Sequence, residues 1–387
     1  MFSRTLKPII LAIALGSNSY ALAQETPKPM PKPTAPKASY PSTPMAPPST
    51  PTPAPKAKVY EQAPDVPAGP VTMKIARGTR IAVTSKAIRV KITGVEGDTL
   101  QANATSEAGA EPVQTQVSGE ASRPRILLFV PAGRARRAGG AISLEIKTPR
   151  YTEIESVESV NGDVDVSDID AAVTISNSNG VIKVHRVGDL KVTTRTSDIT
   201  AKEIKGDIIA RSTHGNVAIE NVSGAVDVAA ANGNVEVRNV AGDVRANLAT
   251  GDIDAHCVKG RADLNSASGS IIIIGASGDV EATTASGEVT FKGALRANGR
   301  YKLKSISGEV EMLTQPDPPG FTATLMTYSG DIETAFPLKV QTPLQGGPIN
   351  RRISGVYRDG GAQITLDSFS GAVSLAKGSP ADWKECK

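Results

Sequence analysis

Glycine returns every nine residues through the middle of this chain: Gly206, Gly215, Gly224, Gly233, Gly242, Gly251, Gly260, Gly269, Gly278 and Gly287. Most of them open a unit of the form Gly-polar-apolar-x-apolar, as in Gly233-Asn234-Val235-Glu236-Val237. A fixed period of this kind marks a repeat architecture, in which each unit rests on its neighbours. Side chains alternate along a strand, so Val235 and Val237 point one way and Glu236 the other. The turn then runs from Arg238 to the next glycine.

Two classes of unit alternate. One glycine follows a short polar residue (Asn179, Asn232, Thr250, Ser268, Ser286), the other follows residues such as Ser223, Ala241 and Lys259. The full repeat is therefore 18 residues with two short strands per coil. The predicted fold is all-β: a parallel β-solenoid or β-roll, capped by less regular β segments at both ends. One sheet turns inward Val164/Val166, Ile182/Val184, Ile199/Ala201, Val217/Ile219, Val235/Val237, Ile253/Ala255, Ile271/Ile273 and Val289/Phe291. The other turns inward the pairs from Val173/Ile175 to Val280/Ala282. Position eight of each unit, apolar or small in Val222, Ala231, Val240, Ala249, Val258, Ala267, Ala276 and Ala285, is expected to fill the corner beneath the turn. Glycine at position one is expected to supply a positive φ for the reversal. The eight-residue step from Gly180 to Gly188 is a single deletion, expected in a turn.

The flanks differ in composition. Residues 1–23 read as a signal peptide: Arg4 and Lys7 precede the apolar stretch Pro8 to Leu15, and Ala21-Leu22-Ala23 forms a small-residue cleavage site. Residues 24–70 hold 15 of the 27 prolines and read as a Pro-rich linker or stalk. An N-terminal β cap is expected over 71–160, regular solenoid repeats over 161–290, C-terminal solenoid turns and cap over 291–378, and a tail over 379–387. No segment after the signal is apolar for long enough to cross a membrane as a helix. The mature chain is thus expected to be exported, to the periplasm or the cell surface.

The net charge of +4 is small for 387 residues. An aromatic content of 4% offers few stacking platforms for nucleic acid, and no nucleic-acid partner is expected. The basic cluster Arg134, Arg136 and Arg137 reads as a solvated loop. The two cysteines are Cys257, in a repeat, and Cys386, near the C-terminus. An oxidising compartment permits a disulfide between them, tying the tail onto the coil.

The pattern resembles the bacterial putative-adhesin family, a β-solenoid domain of unknown function. The resemblance spans about residues 75 to 376. It rests on Ile142-Ser143-Leu144-Glu145-Ile146, on Val160-Asn161-Gly162-Asp163-Val164, on the repeated Gly-Asp/Asn-Val/Ile units and on Tyr328-Ser329-Gly330-Asp331-Ile332 with Phe336-Pro337. It closes with Asp359-Gly360-Gly361-Ala362-Gln363-Ile364 and Phe369-Ser370-Gly371-Ala372-Val373. The resemblance implies a surface or periplasmic body and brings no catalytic residues with it.

Chemistry is sparse by comparison. A polysaccharide lyase or hydrolase needs convergent carboxylates, or calcium with a base. The candidates Asp163, Asp165, Asp168, Asp170, Asp252 and Asp254 read as turn or solvent-facing residues. Calcium nonapeptides need Gly-Gly-x-Gly-x-Asp in each turn, which does not recur. His185 and His256 share position six but lie several coils apart. Asp189 and Asp207 are expected to stack and repel, with a weak cation site as the lesser reading beside plain surface acids. Arg261 between Asp243 and Asp279, and Arg245 between Asp227 and Asp263, are expected to pair across coils. Neither a metal, a cofactor nor a catalytic residue is assigned. The reading is a non-enzymatic binding or scaffold module for an envelope or extracellular protein or glycan, with a polysaccharide-active β-helix enzyme as the alternative.

Overall fold

The computed structural model describes residues 70–86, 88–107, 109–120, 123–131, 142–342, 351–383 and 386. The signal at 1–23, the linker up to residue 69, and Arg134, Arg136 and Arg137 lie outside the described residues. The described chain forms 30 strands and one short 3-10 helix, Pro380–Trp383.

The strands build two parallel sheets that face each other. In one, Val217, Val235, Ile253, Ile271 and Val289 lie side by side in register. In the other, Ile208, Val226, Val244, Ala262 and Val280 do the same. Each step is 18 residues, as the alternation of unit classes predicts. At the deletion, Val173 pairs with Leu190 and Ile182 with Ile199, a step of 17. The turn from Val187 to Leu190 is one residue shorter than its counterpart from Val222 to Val226, so the missing residue falls outside the strands.

Every predicted inward pair is buried. Val235 and Val237 are 1% and 0% exposed, and so it continues along both columns, while Glu236 stays half-exposed. Burying each Val, Ile or Leu contributes ~1.5–3 kcal/mol, so this double row of hydrocarbon is the main driving force.

The corners follow two rules, not one. On the first sheet, position seven adopts a left-handed conformation: Asn221 (φ 60), Asn239 (φ 56) and Cys257 (φ 57). One such residue reverses the alternation, so Val222, Val240, Val258 and Ala276 at position eight turn inward as expected. The second sheet has no such residue in the corresponding units. Its alternation runs on through Asn232, so position seven is buried (Ala230, Leu248, Ser266, Thr284). Ala231, Ala249, Ala267 and Ala285 therefore do not fill the corner: Ala231 is half-buried and the other three are exposed. The buried hydroxyls close this corner by reaching the preceding rung, with Ser266 Oγ donating to Gly251 O (2.9 Å) and Thr284 Oγ1 to Gly269 O (2.8 Å).

Glycine serves two purposes. Gly233 has φ +125, as the reversal requires, whereas Gly242 lies outside the left-handed region. Both are needed for close approach. A Cβ on either would sit 2.2–2.4 Å from the carbonyl oxygen of the glycine one rung below.

Stacking order departs from chain order at both ends. The rung made by Arg80–Ser85 and Ile88–Val95 lies between strands Arg123–Phe129 and Ile142–Pro149 on one side and Glu153–Asn161 and Val164–Ile169 on the other. Likewise the rung of Ala362–Lys377 inserts between those of Arg300–Thr314 and Phe321–Thr334. Antiparallel strands then cover the sheet ends: Thr99–Ser106 and Gln114–Glu120 on one side, Arg351–Tyr357 on the other. Such strands occupy parallel edges that otherwise recruit other chains. Phe321, Phe336 and Tyr357 pack together under the C-terminal cover, with ring centroids 5.0–5.4 Å apart.

Candidate functional site

The repeated Gly-Asp/Asn dipeptide is a staple between rungs. Asn216 Oδ1 accepts the Asn234 N–H (3.0 Å), Asn234 Oδ1 that of Asp252 (3.0 Å), and Asp252 Oδ1 that of Ser270 (2.7 Å). Only a short side chain with a terminal oxygen can bridge this spacing from position two, which accounts for Asp, Asn and Ser there. Asp189 and Asp207 belong to the equivalent series on the other sheet. Asp189 Oδ1 accepts the Asp207 N–H (3.0 Å) and Asp207 Oδ1 the Ala225 N–H (2.8 Å). Each carboxylate meets a backbone donor of the neighbouring rung.

Three other candidate acids are also engaged, and Asp165 lies in register between Lys91 and Lys183. Asp163 Oδ1 accepts the Val181 N–H (3.0 Å), and its Oδ2 lies 3.3 Å from Arg89. Asp168 meets Arg186 at 2.7 Å, and that hydrogen bond holds its carboxyl below the ordinary aspartate range. Asp170 pairs with Lys205 at 2.6 Å. Asp254 differs: burial, reinforced by Glu236 and Asp252, pushes its carboxyl up against the opposing pull of His256. His185 lies 3.3 Å from Glu203.

The expected charge columns are partly rearranged. Arg245 reaches Asp263 at 3.7 Å, but Asp227 pairs with Arg211 at 2.7 Å. The backbone N–H of Arg261 bonds Asp243, while its guanidinium turns to Glu281 (2.9 Å). Asp279 is taken by Arg296 and Arg300. No group of three or more His, Cys, Asp or Glu side chains among the described residues is arranged to hold a metal. Cys257 and Cys386 form a disulfide across 129 residues, and the tail beside it packs Trp383 against Gly378.

What the exterior does display is a ridge. At position eight of the second sheet, register places Ala231, Ala249, Ala267, Ala285, Ile306, Phe369 and Tyr328 in successive rungs. The alanines give way to Ile306 (49% exposed), Phe369 (56%) and Tyr328 (46%), and the last two rings stack with centroids 4.7 Å apart and planes 2° apart. Tyr301 and Tyr357 do not join this patch. Tyr301 is buried against Phe291, and Tyr357 belongs to the C-terminal cap. A sequence signal for the ridge does exist, in the shared frame x-Ser-Gly of Ile306-Ser307-Gly308, Phe369-Ser370-Gly371 and Tyr328-Ser329-Gly330. It was hidden by the expectation that position eight faces inward throughout.

A family model described as Toastrack DUF4097 matches residues 78–261 and 257–376, nearly all of the solenoid. The chain belongs to the Toastrack DUF4097 family. Three solved structures resemble this Toastrack chain at low identity. A putative cell adhesion protein from Clostridium sporogenes ATCC 15579 is 9% identical, with 81% of this chain and 100% of that chain covered and a TM-score of 0.20. A putative adhesin from Bacteroides fragilis NCTC 9343 is 11% identical over 81% and 97%, with a TM-score of 0.22. A putative adhesin from Parabacteroides distasonis ATCC 8503 is 9% identical over 80% and 98%, with a TM-score of 0.19. No curated protein sequence matches the chain. Among the described residues of the Toastrack body, no helix is long and apolar enough to cross a membrane.

Proposed function

We propose that this Toastrack chain is an exported, non-enzymatic module that binds or scaffolds a protein or glycan at the cell envelope. The signal-like residues 1–23 and the Pro-rich stretch 24–70 support export and a spacer; the names of the similar structures agree with a surface role. The observation that carries the reading is the contrast between the carboxylates and the ridge. Asp163, Asp168, Asp170, Asp189, Asp207 and Asp252 are engaged by backbone N–H groups or cations. Ile306, Phe369 and Tyr328 are held in register and face solvent. A rung stack positions such side chains at ~4.7–4.9 Å intervals without ordering a loop, which lowers the entropic cost of binding.

Cell fractionation combined with two assays on the secreted body tests this. Binding to envelope proteins or glycans with no turnover of acidic polysaccharides is the expected outcome. Steady release of oligosaccharide product would replace the reading with the enzymatic one.

A further inference from the structure

Two columns of side chains change character near the C-terminal end: Glu309 follows Ile306 around the corner and Glu288 lies one rung earlier beside Ala285, whereas Ala372 and Asp331, the latter paired with Arg351, hold position two beside Phe369 and Tyr328. Along position eight, alanine is replaced by Ile306, Phe369 and Tyr328. Across the adjoining corner, position two passes from the stapling series Asn216, Asn234, Asp252 and Ser270 to Glu288 and then Glu309. The staple series ends at Glu288, whose backbone N–H still bonds Ser270 Oγ (3.3 Å), while its carboxylate turns to the Thr290 hydroxyl (2.7 Å). Glu311 follows at position four, and no ion pair within 4 Å is formed by Glu288, Glu309 or Glu311 with a described cation. Partial burial and the neighbouring carboxylates of Glu309 and Glu288 push the Glu311 carboxyl up, against the pull of Lys292. Here stapling side chains give way to glutamates, and small surface alanines to larger exposed hydrocarbon.

We propose that the ridge Ile306–Phe369–Tyr328, with Glu288, Glu309 and Glu311 on its flank, docks an extended cationic polypeptide segment of a partner protein. The proposal rests on the binding-module reading above and names the chemistry of its partner. Charge complementarity selects a cation, because lysine or arginine side chains relieve the repulsion among the three glutamates. Phe369 has Tyr328 stacked on one face and Ile306 in register on the other side. The exposed ring and aliphatic surface of the ridge suits apolar side chains placed between the cations.

The test is fluorescence anisotropy on the full exported chain with three 12-residue probes of equal apolar content: one alternating Lys with Leu and Pro, one with Ser in place of Lys, one with Glu. A chitin oligomer serves as the glycan arm. Binding is expected for the Lys probe only, weakening as salt rises. The pair Y328S/F369S should weaken it by about 10-fold or more, as loss of aromatic anchors does. The milder E309Q/E311Q, which leaves the ridge intact, should weaken it several-fold and flatten the salt dependence. Equal binding of all three peptides, no binding of the Lys probe, or indifference to both variants overturns the proposal. If the chitin oligomer binds while the Lys probe does not, the ridge assignment falls and the binding-module reading stands.

Discussion

Val240 and Ala249 occupy the same repeat position, yet the structure gives them opposite environments. Val240 is 1% exposed because Asn239, at φ 56, reverses the side-chain alternation before it; Ala249 is exposed because nothing reverses it on the other sheet. Val240→Ala removes two buried carbon groups. At ~0.8 kcal/mol each, plus the cavity left in a packed corner between Val222 and Val258, the cost is about 2–3 kcal/mol. Ala249→Ser changes a solvent-facing methyl and should lie within about 0.5 kcal/mol of the parent. Urea unfolding followed by circular dichroism reads both, through a shift of midpoint at unchanged slope. Equal destabilisation, or a larger loss for Ala249→Ser, would refute the two-rule description of the corners.

Other consequences follow from the same geometry. Val235→Asp puts a carboxylate between Val217 and Ile253 and should unfold several rungs, whereas Glu236→Lys should change the melting midpoint by only a few degrees. Asn234→Ala deletes the acceptor for the Asp252 N–H and should cost ~0.5–1.5 kcal/mol, measured by the same urea titration. Asp168 has its carboxyl held down by Arg186, so its contribution is full above the ordinary aspartate range and lost as pH falls through the lower folded value; Arg186→Gln should abolish that part of the acid dependence in pH-dependent melts. Asp254 is pushed the other way, so Asp254→Asn should stabilise the protein at neutral pH, with the gain vanishing once the parent carboxyl is protonated in acid. Thiol titration of the native chain should find no free sulfhydryl.

Most of the regular body is legible in the sequence, because a strand's period of two and a coil's period of 18 leave each inward tooth visible: Val235, Val237 and their column mates. The corners are less so. A left-handed Asn239 and an extended Ala230 look alike in a one-letter pattern, yet they decide whether position eight is core or surface. The order of the end rungs is hidden for a related reason. Nothing local marks Ala362–Lys377 as lying beside Arg300–Thr314 in place of the chain-adjacent Phe321–Thr334, since all three rungs present the same alternating teeth. The staples follow a visible motif, Gly-Asp/Asn, but their role depends on knowing which backbone N–H lies one rung away. The ridge is visible only once the corner rule is known.

The central claim is an in-register parallel stack whose last rung in sequence is not the last in space. Spin labels on Lys191 and, in turn, on Lys302, Thr365 or Thr324 test it by double electron–electron resonance, since register places the last three in adjacent rungs. At ~4.8 Å per rung the backbone separations should be roughly 29, 34 and 38 Å in that order. A Thr324 distance shorter than that of Thr365, or separations that do not grow rung by rung, would contradict the account.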